Sequence, residues 1–354
     1  MCTEERVQFL QSIAGIISDY TFRGFGEATP AHVERWVQQF DDEFQLPILR
    51  EINHIFSRWY FSRVRIAGFL TGLTNTQALT GPDFAEYWRS CHFLDIQEHG
   101  GSQSAMLETF GEILRDAYQL DIEQCGTTNG PFIYLDDFIF SGSRIQNDLR
   151  PWIEETAPQN AVINVIVLGY TTYGQYAANR KIQEIIRTSG KQITIHWWRC
   201  KEIENRVAHA GNSHVLWPAR IPQTPEATAY FETTQTGQYP WRTRTAGLTT
   251  NNPVFSSEAA RDLLEQQLLL AGLRIRGFSQ NPSNSLKPLG FIGFPSLGYG
   301  AMVATYRNCP NNCPLALWWG DPNAAATHPF HNWYPLLPRH TYENQQLAEF
   351  NIEF

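Results

Sequence analysis

The stretch of sequence that decides the fold runs Phe132-Ile-Tyr-Leu-Asp-Asp-Phe-Ile-Phe-Ser-Gly-Ser-Arg144. Its first four residues form an apolar run typical of a buried strand, and two adjacent carboxylates, Asp136 and Asp137, follow. A short loop, Ser141-Gly-Ser143, comes next, and helical apolar spacing begins at Ile145. This succession of strand, acid pair, loop and helix predicts one strand–helix unit of a parallel sheet.

Each part of this stretch has a chemical use. Ligands of open parallel sheets bind beyond the carboxyl ends of strands, where we expect Asp136 and Asp137. Two carboxylates can accept hydrogen bonds from neighbouring ribose hydroxyls or hold Mg²⁺ through water. Unpaired N–H groups at a helix start favour an anion, Gly142 allows close backbone approach, and Ser141 and Ser143 add hydroxyl donors. A solvated turn uses the same residue types, but the register of all four parts favours a ribose-phosphate site.

Alternating strand and helix patterns surround this stretch and predict an α/β core with a parallel sheet and crossover helices. The almost unbroken apolar run Ala161–Leu168 is typical of a central strand that is covered on both faces. Pro151 predicts a kink in the helix that follows the loop. The other predicted elements are a strand at 93–96, a loop at 100–104, a helix at 106–118, a helix at 173–187 and a strand at 193–198.

The chain divides by pattern into three regions. Residues 1–82 have helical spacing, residues 83–215 form the α/β core, and residues 216–354 form a proline-punctuated α+β appendage of strands and loops. Two helix starts stand out: Thr29 as N-cap before Pro30, and Ser256-Ser257 before a helix that we expect to end at Ala271, with Gly272 as its cap.

Length and charge exclude several classes of protein. The chain has 354 residues and a formal net charge of −8, which argues against a general nucleic-acid coat or a binder of anionic membranes. No apolar run reaches the roughly 18 residues of a membrane helix, and the start lacks a signal-peptide pattern. Six scattered cysteines do not form a disulfide framework. We therefore expect a cytoplasmic protein with no membrane partner.

The segment from Phe132 to Ile145 resembles the fingerprint of type I phosphoribosyltransferases: an apolar strand, two acids, three mostly apolar residues and a Ser/Thr-Gly loop. The surrounding pattern extends the resemblance over about residues 85–210. The resemblance implies that Asp136 and Asp137 bind the ribose hydroxyls of phosphoribosyl pyrophosphate as catalytic residues and hold Mg²⁺. It also implies that the 5-phosphate is bound by Ser141, Gly142, Ser143 and Arg144. The pyrophosphate would be bound by a loop of Gly100, Gly101, Ser102 and Gln103.

A narrower resemblance concerns the whole chain. The Asp-Asp stretch, the Gly-Gly-Ser-Gln-Ser segment at 100–104 and the late Asn-Cys-Pro-Asn-Asn at 308–312 are similar to phosphoribosyltransferase-like effectors of prokaryotic conflict systems. That resemblance implies antiphage defence, including retrons, in which a reverse transcriptase with its RNA–DNA hybrid is the partner. Arg144 replaces the final Thr of the fingerprint, and no lysine lies near the pyrophosphate loop. An enzyme is the leading interpretation, and a catalytically inactive nucleotide sensor or scaffold subunit stays open.

Two weaker patterns remain. Cys309, Cys313, His328 and His331 have a spacing that superficially resembles a zinc site, but a turn-rich loop explains it better and we do not expect zinc. Residues 58–65 interleave arginines with aromatics, as nucleic-acid platforms do, and an amphipathic helix explains this pattern as well.

Overall fold

The computed structural model describes residues 2–22, 24, 26–98, 101–236, 240–249 and 251–339. The chain separates into two compact units, one formed by Val64–Glu204 and one by Met1–Arg63 together with Asn205–Phe354. The first is called the sheet unit below and the second the helical unit. The domain boundaries predicted near residues 82 and 215 stay a prediction.

Helices dominate the described residues. They are α1 (Cys2–Ile16), α2 (Pro30–Val37), α3 (Asp42–Trp59), α4 (Arg63–Thr74), α5 (Gln77–Thr80), α6 (Phe84–Ser90), α7 (Ser102–Tyr118), α8 (Ser143–Pro151), α9 (Thr172–Ser189), α10 (Pro225–Thr233), α11 (Glu258–Gly277) and α12 (Leu315–Trp318). The strands are β1 (Tyr60–Phe61), β2 (His92–Leu94), β3 (Phe132–Ile139), β4 (Asn160–Thr171), β5 (Gln192–Ile203) and β6 (Ala304–Thr305).

The sheet unit contains four parallel strands in the order β2-β3-β4-β5. One transverse row of the sheet joins Leu94, Tyr134, Val165 and Trp197, so these side chains share a face. The predicted α/β class with a parallel sheet is confirmed. β4 lies between β3 and β5, and the run Ile163–Leu168 within it is buried throughout, including the polar Asn164, as expected for a central strand.

Helices cover both faces of this sheet. On the face of Tyr134 and Val165, the buried cluster includes Leu149 from α8 and Ile182 from α9. On the opposite face, the ring of Phe93 lies 6.1 Å from that of Phe110 in α7. Burying each such large side chain stabilises the fold by about 1.5–3 kcal/mol, which is why these apolar positions fix the layers.

Near the candidate site, two boundaries differ from the sequence prediction, and the interruption predicted at Pro151 is present. β3 does not end at Leu135 but continues to Ile139, so Asp136 and Asp137 lie within the strand, because hydrogen bonds to β4 continue past them. The predicted loop at 100–104 is already helical from Ser102. Pro151 ends α8, and one π-helical turn, Trp152–Thr156, follows it, as expected for a residue that cannot continue the hydrogen-bond ladder.

The helical unit confirms both predicted helix starts. Thr29 caps α2 by accepting a hydrogen bond from the N–H of His32, and Ser257 caps α11 through Ala260. The predicted end of the second helix is wrong, since α11 continues past Gly272. A Cβ at Gly272 would lie 2.5 Å from the carbonyl oxygen of Pro288, so this glycine permits close packing.

The appendage contains fewer strands than predicted. Among the described residues of 216–354, β6 is the only strand. The Leu-Ala-Leu-Trp run, which was predicted to lie among strands and loops, forms α12. The cause is that Pro and Gly interrupt the apolar runs, leaving them too short to form a sheet. None of the helices in the described residues is both long and apolar enough to span a bilayer.

Candidate functional site

Asp136 is the buried centre of the candidate site. Its residue surface is 3% exposed, and its Oδ1 accepts a hydrogen bond of 2.8 Å from the N–H of Asp137. Burial, and then the charge of Asp137, raise the pKa of the Asp136 carboxyl to about 7, while the Ser102 hydroxyl and Arg144 act in the opposite direction. The surroundings of Asp136 therefore favour its neutral form over the carboxylate.

A hydroxyl joins Asp136 to a second acid on α8. The Tyr134 hydroxyl lies 2.7 Å from Asp148 Oδ2 and 3.4 Å from Asp136 Oδ2. Burial raises the pKa of Asp148, whereas the Tyr134 hydrogen bond and the Arg144 charge lower it. The three groups form a short polar network beneath the loop that begins α8.

Asp137 belongs to the other face of the strand. Successive side chains of a strand alternate between faces, so Asp137 does not share the face of Tyr134 and Asp136. Its Oδ1 accepts a hydrogen bond of 2.6 Å from the N–H of Phe138, and the residue is half-buried. The two acids therefore lie in different surroundings, and Asp137 is the more accessible of the two.

The loop after β3 is held in place by the start of α9. Gly142 has φ 79°, and a Cβ there would lie 2.5 Å from the Gly174 carbonyl oxygen and 2.8 Å from Ala178 Cβ. Thr171, the N-cap of α9, donates a hydrogen bond of 2.6 Å to the Phe140 carbonyl and accepts one from Gly174. The fold itself thus requires glycine at position 142, whatever the loop binds.

The predicted phosphate residues lie at the start of α8. Gly142 is its N-cap, and Ser143 and Arg144 are its first two residues. The Ser141 hydroxyl lies 3.2 Å from the Ser143 hydroxyl and accepts a hydrogen bond from the N–H of Ser143. Ser141, Ser143 and Arg144 are exposed, so their polar groups can meet a ligand from solvent.

The predicted pyrophosphate residues lie at the start of α7. Gly100 is outside the described residues, Gly101 is the N-cap, and Ser102 is close enough to Asp136 to lower its pKa. Gln103 is fully buried, and its Oε1 accepts hydrogen bonds from the N–H groups of Ile96 and Gln97. Gln103 therefore shapes the loop through its carbonyl oxygen.

Two buried amide donors lie in this loop. Gln97 Oε1 accepts from the Ser102 hydroxyl at 3.1 Å, and the Gln97 side chain is close enough to Asp148 to lower the pKa of that carboxyl. The Nε2 of the fully buried Gln103 has no hydrogen-bond partner among the described residues. A buried amide donor without a partner costs about 1–3 kcal/mol. The start of α7 thus contains one amide N–H₂ group without a partner, and it belongs to a fully buried residue.

Sequence reasoning missed Asp148 and Gln97 and treated Tyr134 only as bulky. A signal existed for two of them. Tyr134 is two residues before Asp136, which places both on one face of a strand. Asp148 is four residues after Arg144, which places both on one side of a helix. Gln97 had no signal, because its role depends on a fold that brings residues 97 and 148 together.

A cavity of about 610 Å³ opens at the other end of the sheet. It is lined by the first residues of β3, β4 and β5, including Phe132, Asn160 and Gln192. Lys191 in its wall donates hydrogen bonds to the carbonyls of Ile153 and Ala157, so its ammonium group stabilises the π-helical turn. We place the candidate site at Asp136, because parallel sheets bind ligands at the carboxyl ends of their strands.

The two weaker patterns do not form sites. Cys309 and Cys313 are buried whereas His328 and His331 are exposed, and the described residues contain no cluster of three or more His, Cys, Asp and Glu side chains suited to a metal. In the segment 58–65, the aromatic rings of Trp59, Tyr60 and Phe61 are at most 2% exposed. They are core residues and cannot stack on bases.

Mg²⁺ fits the acid pair only in part. Carboxylate oxygen is the correct ligand type, and Asp137 is accessible. Asp136 suits the ion less well, since burial favours its neutral form and its Oδ1 already accepts an N–H. Of the two acids, Asp137 is thus the better candidate ligand.

Comparison with known proteins identifies the family of the chain. No curated protein and no solved structure matches the chain. A family model does match, and it covers residues 33–339, which include both the strand–loop–helix segment and the later α11 region. By that match the chain belongs to the PRTase-CE family and is a phosphoribosyltransferase-like protein.

Proposed function

We propose that the chain binds a ribose-phosphate ligand of the phosphoribosyl pyrophosphate class at the carboxyl end of β3 and acts on its glycosidic bond. One observation carries the proposal: Ser102 from the start of α7 and Arg144 from the start of α8 both act on the buried Asp136. Two helix starts thus converge on one acid, and helix starts are suited to phosphate groups. Asp136 and Asp137 would bind the ribose hydroxyls.

In the proposed reaction the bond between the anomeric carbon and pyrophosphate breaks, and pyrophosphate leaves with the electron pair. A nucleobase nitrogen or water forms the new bond and loses its proton to solvent. The Ser102 and Gln97 region would hold the leaving pyrophosphate, and the loop from Ser141 to Arg144 would hold the 5-phosphate. Bound Mg²⁺, held by Asp137, would offset the charge of the pyrophosphate.

The cellular role is proposed on the sequence resemblance alone: an antiphage effector that acts in the cytoplasm. A second candidate function is a nucleotide-sensing or scaffold subunit that has lost catalysis and assembles with a reverse transcriptase and its RNA–DNA hybrid. Arg144 in the position of the fingerprint Thr, and the raised pKa of Asp136, favour this second candidate.

The test is incubation with phosphoribosyl pyrophosphate, Mg²⁺ and each nucleobase in turn, read by mass spectrometry and pyrophosphate release. We expect product from the wild type and at least a 100-fold lower rate for the Asp136→Asn/Asp137→Asn double variant. Asp116→Asn, at an exposed position of α7, is the control. Ligand binding by calorimetry without product would select the sensor, and absence of both would leave only the scaffold.

A further inference from the structure

A cationic pair in the helical unit is not used by the proposed site. Lys287 is only 8% exposed, and within the described residues its ammonium group has no hydrogen bond or ion pair. Its Nζ is not among the described side-chain atoms that are buried without a partner, so the ammonium reaches water at the end of a buried stem. An ammonium that reaches water and has no acid beside it can bind an anion from solvent.

The nearest charge to Lys287 has the same sign. Arg276 in the last turn of α11 donates to the carbonyl oxygen of Ser283 at 3.1 Å and to that of Leu286, the residue directly before Lys287. Its guanidinium carbon lies 4.9 Å from the ring centroid of Tyr230 in α10. No carboxylate among the described residues acts on either cation.

Two neighbouring cations without an acid give this place a charge of about +2 when both are protonated. Burial, and then Arg276, lower the pKa of Lys287 to about 8, so the lysine is still mostly charged at pH 7. A single carboxylate would compensate one charge, whereas a phosphate dianion compensates both and can accept from the ammonium and the guanidinium together. The charge balance thus favours phosphate.

We propose that Lys287 and Arg276 bind a phosphate group, forming a second anion site in the helical unit that is independent of the site at β3. The ligand class is inorganic phosphate or the phosphate of a small monoester. The Tyr230 ring supports the guanidinium from one side, which leaves the guanidinium edge that is not bonded to the carbonyls for the anion.

The test measures binding of inorganic phosphate, and separately of a nucleoside monophosphate, by ³¹P NMR at constant ionic strength. The Arg144→Gln background weakens the proposed loop site and isolates this one. There we expect Lys287→Met to lower the phosphate affinity at least tenfold. Lys181→Met, which removes an exposed lysine paired with Glu184, is the matched control and leaves the affinity unchanged.

A pH series provides a second readout. The phosphate affinity of the wild type should fall between pH 7 and 9, relative to that of the Lys287→Arg variant, because Lys287 loses its proton in that interval. Arg276 stays charged in that interval, and Tyr230 stays neutral because burial raises its pKa. Equal binding by wild type and Lys287→Met in the Arg144→Gln background would overturn the proposal. An unchanged affinity in Arg144→Gln alone would instead count against the loop site.

Lys287→Met also separates folding from binding. Removing an ammonium whose one charged neighbour is the like-charged Arg276 should not lower the melting temperature without phosphate, and should abolish any phosphate-dependent rise that remains in the Arg144→Gln background. A melting temperature that is lower, with a phosphate response of wild-type size, would mean that the lysine is structural. Comparison of phosphate with the nucleoside monophosphate then identifies the source of the phosphate group.

Discussion

The Tyr134 hydroxyl stands between two acids, 2.7 Å from Asp148 on α8 and 3.4 Å from Asp136 on its own strand. Its single proton is donated at the shorter distance, to Asp148. The neutral form of Asp136 can then donate its own proton to the phenol oxygen, which gives a chain of two hydrogen bonds from Asp136 through Tyr134 to Asp148. This chain connects the acid of the candidate site to the helix that carries Arg144.

Replacing Tyr134 by Phe should break this chain. Both acids would then lose their bond to the phenol, and we expect a loss of about 1–3 kcal/mol in the free energy of unfolding. Urea denaturation at pH 7 measures it. Tyr176→Phe is the control, since Tyr176 is 59% exposed and its hydroxyl should contribute less than about 0.5 kcal/mol. Equal stability of the two variants would contradict the chain.

Asp136 should make the stability of the sheet unit depend on pH. Its pKa is raised from 3.8 to about 7, so between these values the folded state holds a proton that the unfolded state has released. The free energy of unfolding therefore falls as pH rises from about 4 to 7, by at most about 4 kcal/mol. Above that interval the contribution of Asp136 no longer changes with pH.

Asp136→Asn should remove this dependence and be more stable than wild type at pH 8. The amide still offers an oxygen to the N–H of Asp137 and cannot ionise. A residual slope of the same sign is expected from Asp148, whose pKa burial also raises. Urea titrations at pH 5, 6.5 and 8 measure the slope, and an identical slope in both proteins would show that Asp136 is not its source.

The sequence predicts the sheet better than the site. Apolar runs such as Ala161–Leu168 identify strands because only a doubly covered strand tolerates them. The contacts between Gln103 and Gln97 could not be predicted, since they depend on the conformation of an irregular loop that no apolar period describes. Gly272 was assigned to a cap because its neighbour Pro288 becomes visible only in the fold.

Gly142 should be required for the stability of the fold, whether or not the loop binds a ligand. Ala at this position would need φ near 79° and would place its Cβ 2.5 Å from the Gly174 carbonyl oxygen. We expect Gly142→Ala to cost about 3 kcal/mol or more, from backbone strain and overpacking together. Thermal and urea unfolding measure this cost.

Gly190 provides the control for the cost of placing alanine at a positive φ without a steric contact. It ends α9 with φ 72°, but nothing lies within 4 Å of a Cβ placed there. Gly190→Ala should therefore cost only about 1 kcal/mol. Similar costs at both positions would mean that the contact with α9 is unimportant, and the glycine could then be assigned to ligand approach alone.

The last prediction concerns a buried charge network in the helical unit. Arg244 pairs with Glu265 at 3.0 Å and with Glu258 in α11, and Arg261 pairs with Glu265 at 2.8 Å. Both arginines and Glu265 are 0% exposed in their side chains, so the charges are removed from water and balanced by one another.

Replacing Arg244 by Met should leave Glu265 with one cation instead of two, and should cost about 3–5 kcal/mol. Arg220→Met tests an ion pair to the same helix, with Asp262, whose arginine is 71% exposed. Because water screens that pair, its loss should cost no more than about 1 kcal/mol. Urea unfolding of the two variants compares them directly. A small cost at Arg244 would indicate that Arg261 alone compensates Glu265, and the segment that carries Arg244 would then be held to α11 mainly by apolar contacts.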